Sequence, residues 1–449
     1  MKKTLFAISA IAVLLGFTAC TSENETLEPQ VSGKTILKAY TEEATRTALS
    51  GDDETGYKVV WSFGDHITVG GKIFALKAEG GGVGTTSGTF EGDELTDGEY
   101  TAYYPADYDG TNWPTAQTYV ENNIPDGSPM KATFTYTTGE EPSLKFQNEG
   151  GILRLNLKGE AKVKSIKISA TGLAPITLDC LGMGIELNTT TATPFHIAVP
   201  GTDEGTDYSG LKIVIIDNTG GVCTKTLKSD KSITVKRSKI TTVNLSATKF
   251  CNYLCFTAEE DDASVGMNVY GTSWTLPTLE YSTDLFTWET FTLGTTDVPL
   301  TKAGDKVYFR ATEKLSSFST ATARYVNFTM KEKKVAASGN VMSLVDPTCE
   351  STTLPSNYCF YKLFYRCESL TTAPELPAKK LNSNCYYQMF YGCKNLNSVT
   401  CLATINSAQK CVEGWLDDTA AHGTFYCAPG RKDIWEGKVN GWTIEEMLY

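Results

Sequence analysis

Cysteine is the residue type in this chain with the widest chemistry, because a thiol can bind a metal, attack a substrate or form a disulfide. The 449-residue sequence has 13 cysteines, and eight of them lie between Cys349 and Cys427. Cys385 and Cys393 would lie roughly 12 Å apart along a helix, too far to bond to each other. We interpret these clustered thiols as small core residues, with disulfides between neighbouring turns or metal binding as the alternatives.

The other side chains that carry catalysis do not predict an active site. The chain has three histidines, His66, His196 and His422, and none belongs to a recognisable nucleophile–base pattern. The acidic groups at residues 52–54 and 259–262 lack the alternate spacing of a calcium loop. Cys251 and Cys255 have no second pair at zinc-like spacing. We therefore expect no enzyme, no cofactor and no metal site.

One cysteine differs from the others because of the residues that precede it. A basic start (residues 1–3) is followed by an apolar run at residues 5–17, as in a secretory signal. Residues 17–20 (FTAC) resemble a lipobox, although Phe17 stands where leucine is usual. The resemblance implies a signal peptide at residues 1–19, acylation of Cys20 and stable attachment to the outer membrane through several acyl chains.

The polar, acidic residues that follow Cys20 indicate a linker, and they also resemble the tag that exports lipoproteins to the outer face of that membrane. The net charge of the whole chain is −12. Nucleic-acid binding depends on neutralising phosphates, so this charge disfavours it. We expect a surface-exposed lipoprotein that does not bind nucleic acid.

Short alternating runs separated by glycine, proline, aspartate and asparagine fill residues 35–250 and predict a mainly β protein. They form two groups that meet near residue 149, which we interpret as two antiparallel β-sandwiches. Further short strands predict a third small β domain at residues 251–347.

Three segments give these sandwiches a family resemblance: residues 42–47 (EEATRT), 60–69 (VWSFGDHITV) and 150–155 (GGILRL). They resemble the fimbrillin family, the subunits of type V pili, over about residues 34–247. The resemblance implies two transthyretin-like β-sandwiches, at residues 47–149 and 150–247. It also implies a cut between Arg46 and Thr47 that removes a pro-segment, residues 20–46, with a strand at about residues 35–40. A donor strand from another subunit would then fill the groove.

An internal repeat begins at Cys359, recurs at Cys385 and decays after Cys411. Its cysteines and leucine or methionine recur at i, i+4 and i+8, which we interpret as one helical stripe. The pattern is similar to the BspA-type leucine-rich repeat, which implies a short α/β solenoid at residues 348–449. Two and a half turns cannot stand alone, so we expect them to pack on the preceding domain, with residues 435–442 as the cap.

The sequence as a whole predicts a structural and adhesive subunit of a surface pilus, at its tip or in an accessory position. Other pilus subunits would be its partners through strand insertion, and a host or bacterial surface protein or glycan would be the ligand of the C-terminal region. The alternative is a protein that stays anchored through Cys20, as a pilus anchor or a free-standing binder. Residues 418–420 resemble a short O-glycosylation acceptor, which makes Thr419 a candidate modification site.

Overall fold

The computed structural model describes residues 33–41, 60–121, 123–125, 127–228 and 230–447. Within these ranges the chain is nearly all β, with two short 3-10 segments, Val341–Leu344 and Asp433–Trp435, and no α-helix. None of the described helical segments has the length and hydrophobicity of a membrane-spanning helix. The mainly β prediction is therefore confirmed.

The first eight strands occupy the part of the chain before residue 149. Strands β1 to β8 are Lys34–Thr41, His66–Val69, Lys72–Leu76, Ser87–Asp93, Gly98–Tyr104, Ala116–Thr118, Met130–Tyr136 and Ser143–Asn148. Seven of them form a closed barrel in the order β1-β4-β3-β2-β5-β7-β8. The predicted sandwich is thus joined into one continuous sheet, because β1 pairs with a strand on each side.

Two facing sheets follow the barrel. Strands β9 to β18 are Gly150–Gly159, Lys162–Ala170, Leu173–Asp179, Ile185–Glu186, Thr193–Pro200, Thr206–Ser209, Lys212–Asp217, Val222–Thr226, Ser232–Val235 and Ile240–Ala247. One sheet has the order β16-β15-β10-β11-β6 and the other β13-β9-β18. Alternate residues of β9, such as Leu153, Leu155 and Leu157, are fully buried in the core between them. Strand β6 joins this unit to the barrel through its pairing with β11.

The third group of strands and the repeats share a single core. Strands β19 to β26 are Leu254–Ala258, Ala263–Tyr270, Leu279–Ser282, Glu289–Phe291, Asp297–Leu300, Lys306–Ala311, Tyr325–Met330 and Val335–Ser338. Strands β27 to β30, in the repeats and the cap, are Leu370–Thr372, Ser398–Cys401, Thr424–Cys427 and Thr443–Glu446. Strand β27 pairs in parallel with β26, and the buried cluster runs without a break from Leu254 to Trp442. The repeats therefore pack on the third group.

Tryptophans close the far end of the repeats. The ring of Trp435 stacks on that of Trp415 with 5.4 Å between their centroids, and both side chains are at most 1 % exposed. The indole N–H of Trp415 donates to the carbonyl of Lys438 at 2.7 Å. Strand β30 adds to β29 in parallel at this end. These contacts cover the last turn.

The predicted helices of the repeats are wrong. Between residues 358 and 367 the chain forms consecutive turns, with positive φ at Tyr358, Lys362 and Arg366. Backbone N–H groups alternate between two kinds of bond. The N–H of Phe360 donates to the carbonyl of Cys385 in the next turn at 3.0 Å, and the N–H of Tyr361 donates back to Tyr358 at 3.0 Å. Because half of the N–H groups bond across turns, an α-helix cannot form here.

The backbone conformation of the turns recurs at every fourth position, so i, i+4 and i+8 still share one face. The repeat cysteines are accordingly buried and unpaired as thiols, and they are Cys359, Cys367, Cys385, Cys393, Cys401, Cys411 and Cys427. Several donate their S–H to a backbone carbonyl, as Cys393 does to Phe364 at 3.0 Å. Their interpretation as core residues is consistent with this packing, since a thiol is small and a weak donor.

Beside the joint with the second unit, a disulfide ties the ends of the third group together, and cations on aromatic rings cross the joint itself. Cys251 bonds to Cys349, which is 98 residues later, with 5.3 Å between their Cα atoms. The amines of Lys167 and Lys212 each lie 4.4 Å from the ring centroid of Phe286. Spacing in the sequence relates Cys251 only to its neighbour Cys255, which is a free, buried thiol.

Burial makes the repeat thiols unreactive in the folded protein. It raises the pKa of Cys367 and of Cys401 to about 12, so almost no thiolate is present at pH 8. We expect iodoacetamide at pH 8 to leave the repeat cysteines unmodified in the native protein and to modify all of them in 8 M urea, as judged by peptide mass spectrometry. Rapid native labelling would contradict this packing.

Removing the disulfide should weaken the C-terminal half alone. A disulfide between cysteines 98 residues apart typically stabilises the folded state by about 2–5 kcal/mol. We expect the double substitution Cys251→Ser and Cys349→Ser to lower the unfolding temperature of the residue 254–442 core. Hydrogen exchange of β4 and β5 in the barrel, measured on the same sample, should not change.

Candidate functional site at the closing strand

Strand β1 covers the residues, about 35–40, at which the family resemblance implies a removable strand. It pairs antiparallel with β4 from Lys34 opposite Asp93 to Tyr40 opposite Ser87. It also pairs in parallel with β8 from Lys38 opposite Ser143 to Thr41 opposite Phe146. Removing β1 would therefore leave two unpaired strand edges facing each other across one gap.

The side chains of β1 alternate between the barrel interior and the outside. Leu37 and Ala39 are fully buried, and Thr35 and Thr41 are each 3 % exposed. The hydroxyl of Thr35 accepts a hydrogen bond from the N–H of Leu95 at 2.9 Å. These inward side chains are small or medium in size. Backbone pairing therefore makes a large part of the contact between β1 and the barrel.

The outer face of β1 carries two ion pairs that contribute little stability. Lys34 lies 2.6 Å from Glu91, and Lys38 lies 2.6 Å from Glu141. The hydrogen bond to Glu91 raises the pKa of Lys34, and that to Glu141 raises the pKa of Lys38. Both lysines are solvent-exposed, and exposed pairs add little stability.

An aromatic wall lines the barrel behind β1. The ring of Trp61 makes edge contacts with Phe90 of β4 at 4.9 Å and with Phe146 of β8 at 5.6 Å between centroids. Both phenylalanines are fully buried. Because they come from the two strands beside β1, they would line the gap left by its departure and offer an apolar surface to any incoming strand.

The connection after β1 begins and ends at one place on the barrel. The N–H of Thr41 donates to the carbonyl of Thr86 at 2.9 Å, and the N–H of Trp61 donates to that of Thr85 at 2.9 Å. The segment 42–59, which links β1 to the next described residues, lies outside the described ranges. A single cut in this segment would leave β1 attached by non-covalent contacts alone, while the other barrel strands stay in one chain.

The candidate site residues predicted from sequence are distributed as follows. Cys20, Arg46 and Thr47 lie outside the described residues, so lipidation and cleavage stay predictions. Thr419 is partly buried, and its hydroxyl donates to the carbonyl of Leu416 at 2.7 Å. Its glycosylation also stays a prediction.

The described residues include two candidate groups named from the sequence, His196 and the acidic residues 259–262. No group of three or more histidine, cysteine, aspartate or glutamate residues among them could hold a metal ion. His196 is buried and accepts a hydrogen bond from Nε of Arg154 at 3.1 Å. In the acidic group at residues 259–262, Asp261 pairs with Lys302 at 3.1 Å and accepts from the N–H of Ala303 at 2.9 Å.

No family model and no curated protein matches the sequence. A Bacteroides ovatus structure provisionally assigned to cell adhesion has 12% identity and a TM-score of 0.28, covering 47% of this chain and 92% of that chain. A fimbrial protein of the same species has 10% identity and a TM-score of 0.26, covering 51% and 52%. A streptococcal ancillary pilin has 9% identity and a TM-score of 0.18, covering 66% and 95%. At such TM-scores these likenesses establish neither fold nor function.

Shortening an inward side chain of β1 should loosen the barrel. We expect Leu37→Ala to destabilise the barrel by about 2–5 kcal/mol, because it leaves a cavity in a fully packed core. The measurement is hydrogen exchange in β4 and β8, which should rise. Ile36→Ala is the matched control, since Ile36 is 36% exposed and its loss should cost less than about 1 kcal/mol. Equal effects of the two variants would contradict an inward role for Leu37.

Proposed function

We propose that this chain is a cell-surface adhesion or pilus subunit that joins its partner by exchanging β1 for a strand of another subunit. The single observation that carries this proposal is the double pairing of β1, which closes the barrel between β4 and β8. An incoming strand would recover both rows of backbone hydrogen bonds and cover the aromatic wall. Because one insertion restores both the hydrogen bonds and the apolar contacts, the incoming strand would replace most of the stabilisation that β1 provides.

The position of the predicted cut supports the same proposal. Arg46 follows the end of β1 at Thr41 and precedes the next described segment, which starts at Val60. Cleavage between Arg46 and Thr47 would release β1 together with the lipid on Cys20. The subunit would then lose its membrane anchor and open its groove in one step.

The C-terminal half supports a terminal or accessory place in the assembly. After Ala247, the end of β18, the described chain continues into a core of its own, from Leu254 to Trp442. Its last strand, β30, is paired with β29 and lies beside the tryptophan cap. A strand built into such a core cannot be donated to a neighbour without unfolding it. The adhesive contact would therefore be made by this half, and the assembly contact by the barrel.

The mature N-terminus tests the processing step. We expect surface-recovered protein to begin at Thr47, as measured by mass spectrometry, and we expect Arg46→Ala to abolish that terminus. Arg431→Ala is the control, because it removes an exposed arginine from the C-terminal half and should leave processing unchanged. A triacylated Cys20 with an uncut chain would contradict strand exchange and favour a permanently anchored surface protein.

Exchange itself can be measured on the cut protein. A fluorescent peptide of residues 33–41 should bind the Thr47 form with one-to-one stoichiometry and should not bind the uncut form. A peptide in which Leu37 and Ala39 are both aspartate should fail, because two carboxylates would enter the apolar interior. A peptide with Lys34 and Lys38 changed to glutamine is the control and should still bind.

A further inference from the structure

Two columns of tyrosine rings run across the stacked turns of the repeat. Tyr361 lies parallel to Tyr387 with 5.2 Å between ring centroids, and Tyr365 lies over Tyr391 at 5.3 Å. The two members of each pair are one repeat apart, so the columns follow from the in-register stacking of turns. The tyrosines occupy the third position of each short turn, next to the fully buried second position that holds Phe360, Phe364 and their equivalents.

The first column continues onto the neighbouring sheet. Tyr325 of β25 packs against Tyr361 at 5.3 Å, and Tyr270 of β20 stacks on Tyr325 at 4.4 Å. Tyr270 is 41% exposed, and Tyr325 is half-buried. The six tyrosines of the two columns, here called the tyrosine platform, are Tyr270, Tyr325, Tyr361, Tyr365, Tyr387 and Tyr391.

Three cations stand at the platform, and one of them, Lys410, has its amine 6.0 Å from the ring centroid of Tyr387 and is paired with Glu413. The amine of Lys362 lies 4.7 Å from the ring centroid of Tyr365 and 5.4 Å from that of Tyr361. The guanidinium of Arg366 lies 5.4 Å from the centroid of Tyr365. Burial and, after it, the charge of Arg366 lower the pKa of Lys362. A bound anion would oppose both effects.

Two carboxylates of the repeats are already paired with lysines. Glu368 pairs with Lys394 at 2.8 Å, and Glu413 pairs with Lys410 at 3.2 Å. Across the described ranges, by contrast, neither Lys362 nor Arg366 forms an ion pair. The platform therefore carries uncompensated positive charge on a chain whose net charge is −12.

We propose that the tyrosine platform binds a carboxylate-bearing carbohydrate, with the sugar hydroxyls at the tyrosine hydroxyls and the carboxylate at Lys362 and Arg366. The stacked rings cover one another's faces, and Tyr361 is only 4% exposed. The contact is therefore made by rigid ring edges and hydroxyls, at low cost in conformational entropy. No hydroxyl of the six tyrosines is hydrogen-bonded to a described protein group, so they can pair with sugar hydroxyls. The two cations supply charge-assisted bonds to a carboxylate. This inference rests on the adhesive part of the proposed function and does not depend on strand exchange.

Other anionic ligands fit the platform less well. A nucleic acid would meet only two unpaired cations on an acidic protein, too few to neutralise a run of phosphates. An acidic peptide would use the cations but would leave the tyrosine hydroxyls without matching groups. A ligand with many hydroxyls and an occasional carboxylate matches both the unpaired cations and the tyrosine hydroxyls.

The test is titration calorimetry of the full chain with acidic sugars and their neutral counterparts. The probes are sialyllactose against lactose, and a glucuronic-acid oligosaccharide against a glucose oligosaccharide of equal length. We expect at least one acidic sugar to bind more tightly than its neutral counterpart, with affinity that falls as salt rises. If neither does, or if a glutamate oligopeptide binds as tightly, the inference is overturned.

Substitutions then locate the site. Lys362→Met keeps the aliphatic stem on the rings and removes the charge, and Tyr391→Ala removes one half-buried ring. Each should weaken binding by about tenfold or more, the value of one charge-assisted or hydrogen-bonding contact. Lys394→Met, which removes an exposed and already paired lysine, is the matched control. Thermal unfolding of each variant shows that it is folded, and unchanged binding in both variants would contradict the platform as the site.

Failure here can be told apart from failure of strand exchange. The N-terminus of the same preparation shows whether cleavage after Arg46 takes place, and sugar binding is measured independently. A preparation that is cut at Thr47 but binds no acidic sugar overturns only this inference. One that binds acidic sugar but remains uncut supports the platform and overturns only the exchange.

Discussion

A strand edge without a partner is costly inside a protein, because each backbone group on it loses a hydrogen bond and apolar residues behind it meet water. The barrel avoids this cost through β1 alone, whose two rows of pairs close the gap between β4 and β8. Any replacement must meet the same demands. It must be extended, must alternate between small inward and polar outward side chains, and must fit beside Phe90 and Phe146. The geometry of the gap therefore selects an incoming strand by its alternation of inward and outward side chains as much as by its exact sequence.

The joint beyond β18 determines how the two halves of the chain are oriented. Lys167 reaches Asp284 at 3.0 Å, and Lys212 donates to the carbonyl of Phe286 at 2.5 Å. The guanidinium of Arg310 lies 3.9 Å from the ring centroid of Trp288 beside them, and the Cys251–Cys349 bond ties the ends of the third group together. A cation placed between ring and carboxylate is restricted in direction as well as distance. The repeats thus have a defined direction relative to the second unit.

The sequence predicted the elements that depend on local pattern. The family resemblance implied a strand at about residues 35–40, where β1 lies, and the regular recurrence of cysteine and tyrosine from Cys359 to Cys411 predicted the repeat. Closure of the barrel could not be predicted, because it depends on the register of β1 with β8, which lies far along the chain. The disulfide was missed for a similar reason, since Cys349 was grouped with the repeat thiols that follow it.

The error over the repeat helices has a different cause. A helical period and a period of four place i, i+4 and i+8 on almost the same face, so a pattern this short cannot separate them. Backbone positions with positive φ distinguish these turns from an α-helix, but here they are occupied by Lys362, Arg366 and Gln388 as well as by Gly392. Of these four residues, only the glycine is of a type that commonly adopts positive φ, so only Gly392 indicates this conformation in the sequence. The tyrosine platform was visible as a list of aromatic residues, but its columns exist only through the stacking of turns.

The bonds between turns have a consequence for how such a chain can change over generations. Each repeat forms the same backbone hydrogen bonds to the next one. The N–H of Phe360 donates to the carbonyl of Cys385, and the N–H of Tyr386, one repeat later, donates to the carbonyl of Cys411. A duplication or deletion of one such unit in the gene would keep every kind of inter-turn bond and would leave the tryptophan cap in place. The repeat region can therefore be lengthened or shortened by one unit at a time, and the number of stacked tyrosine rings would change with its length.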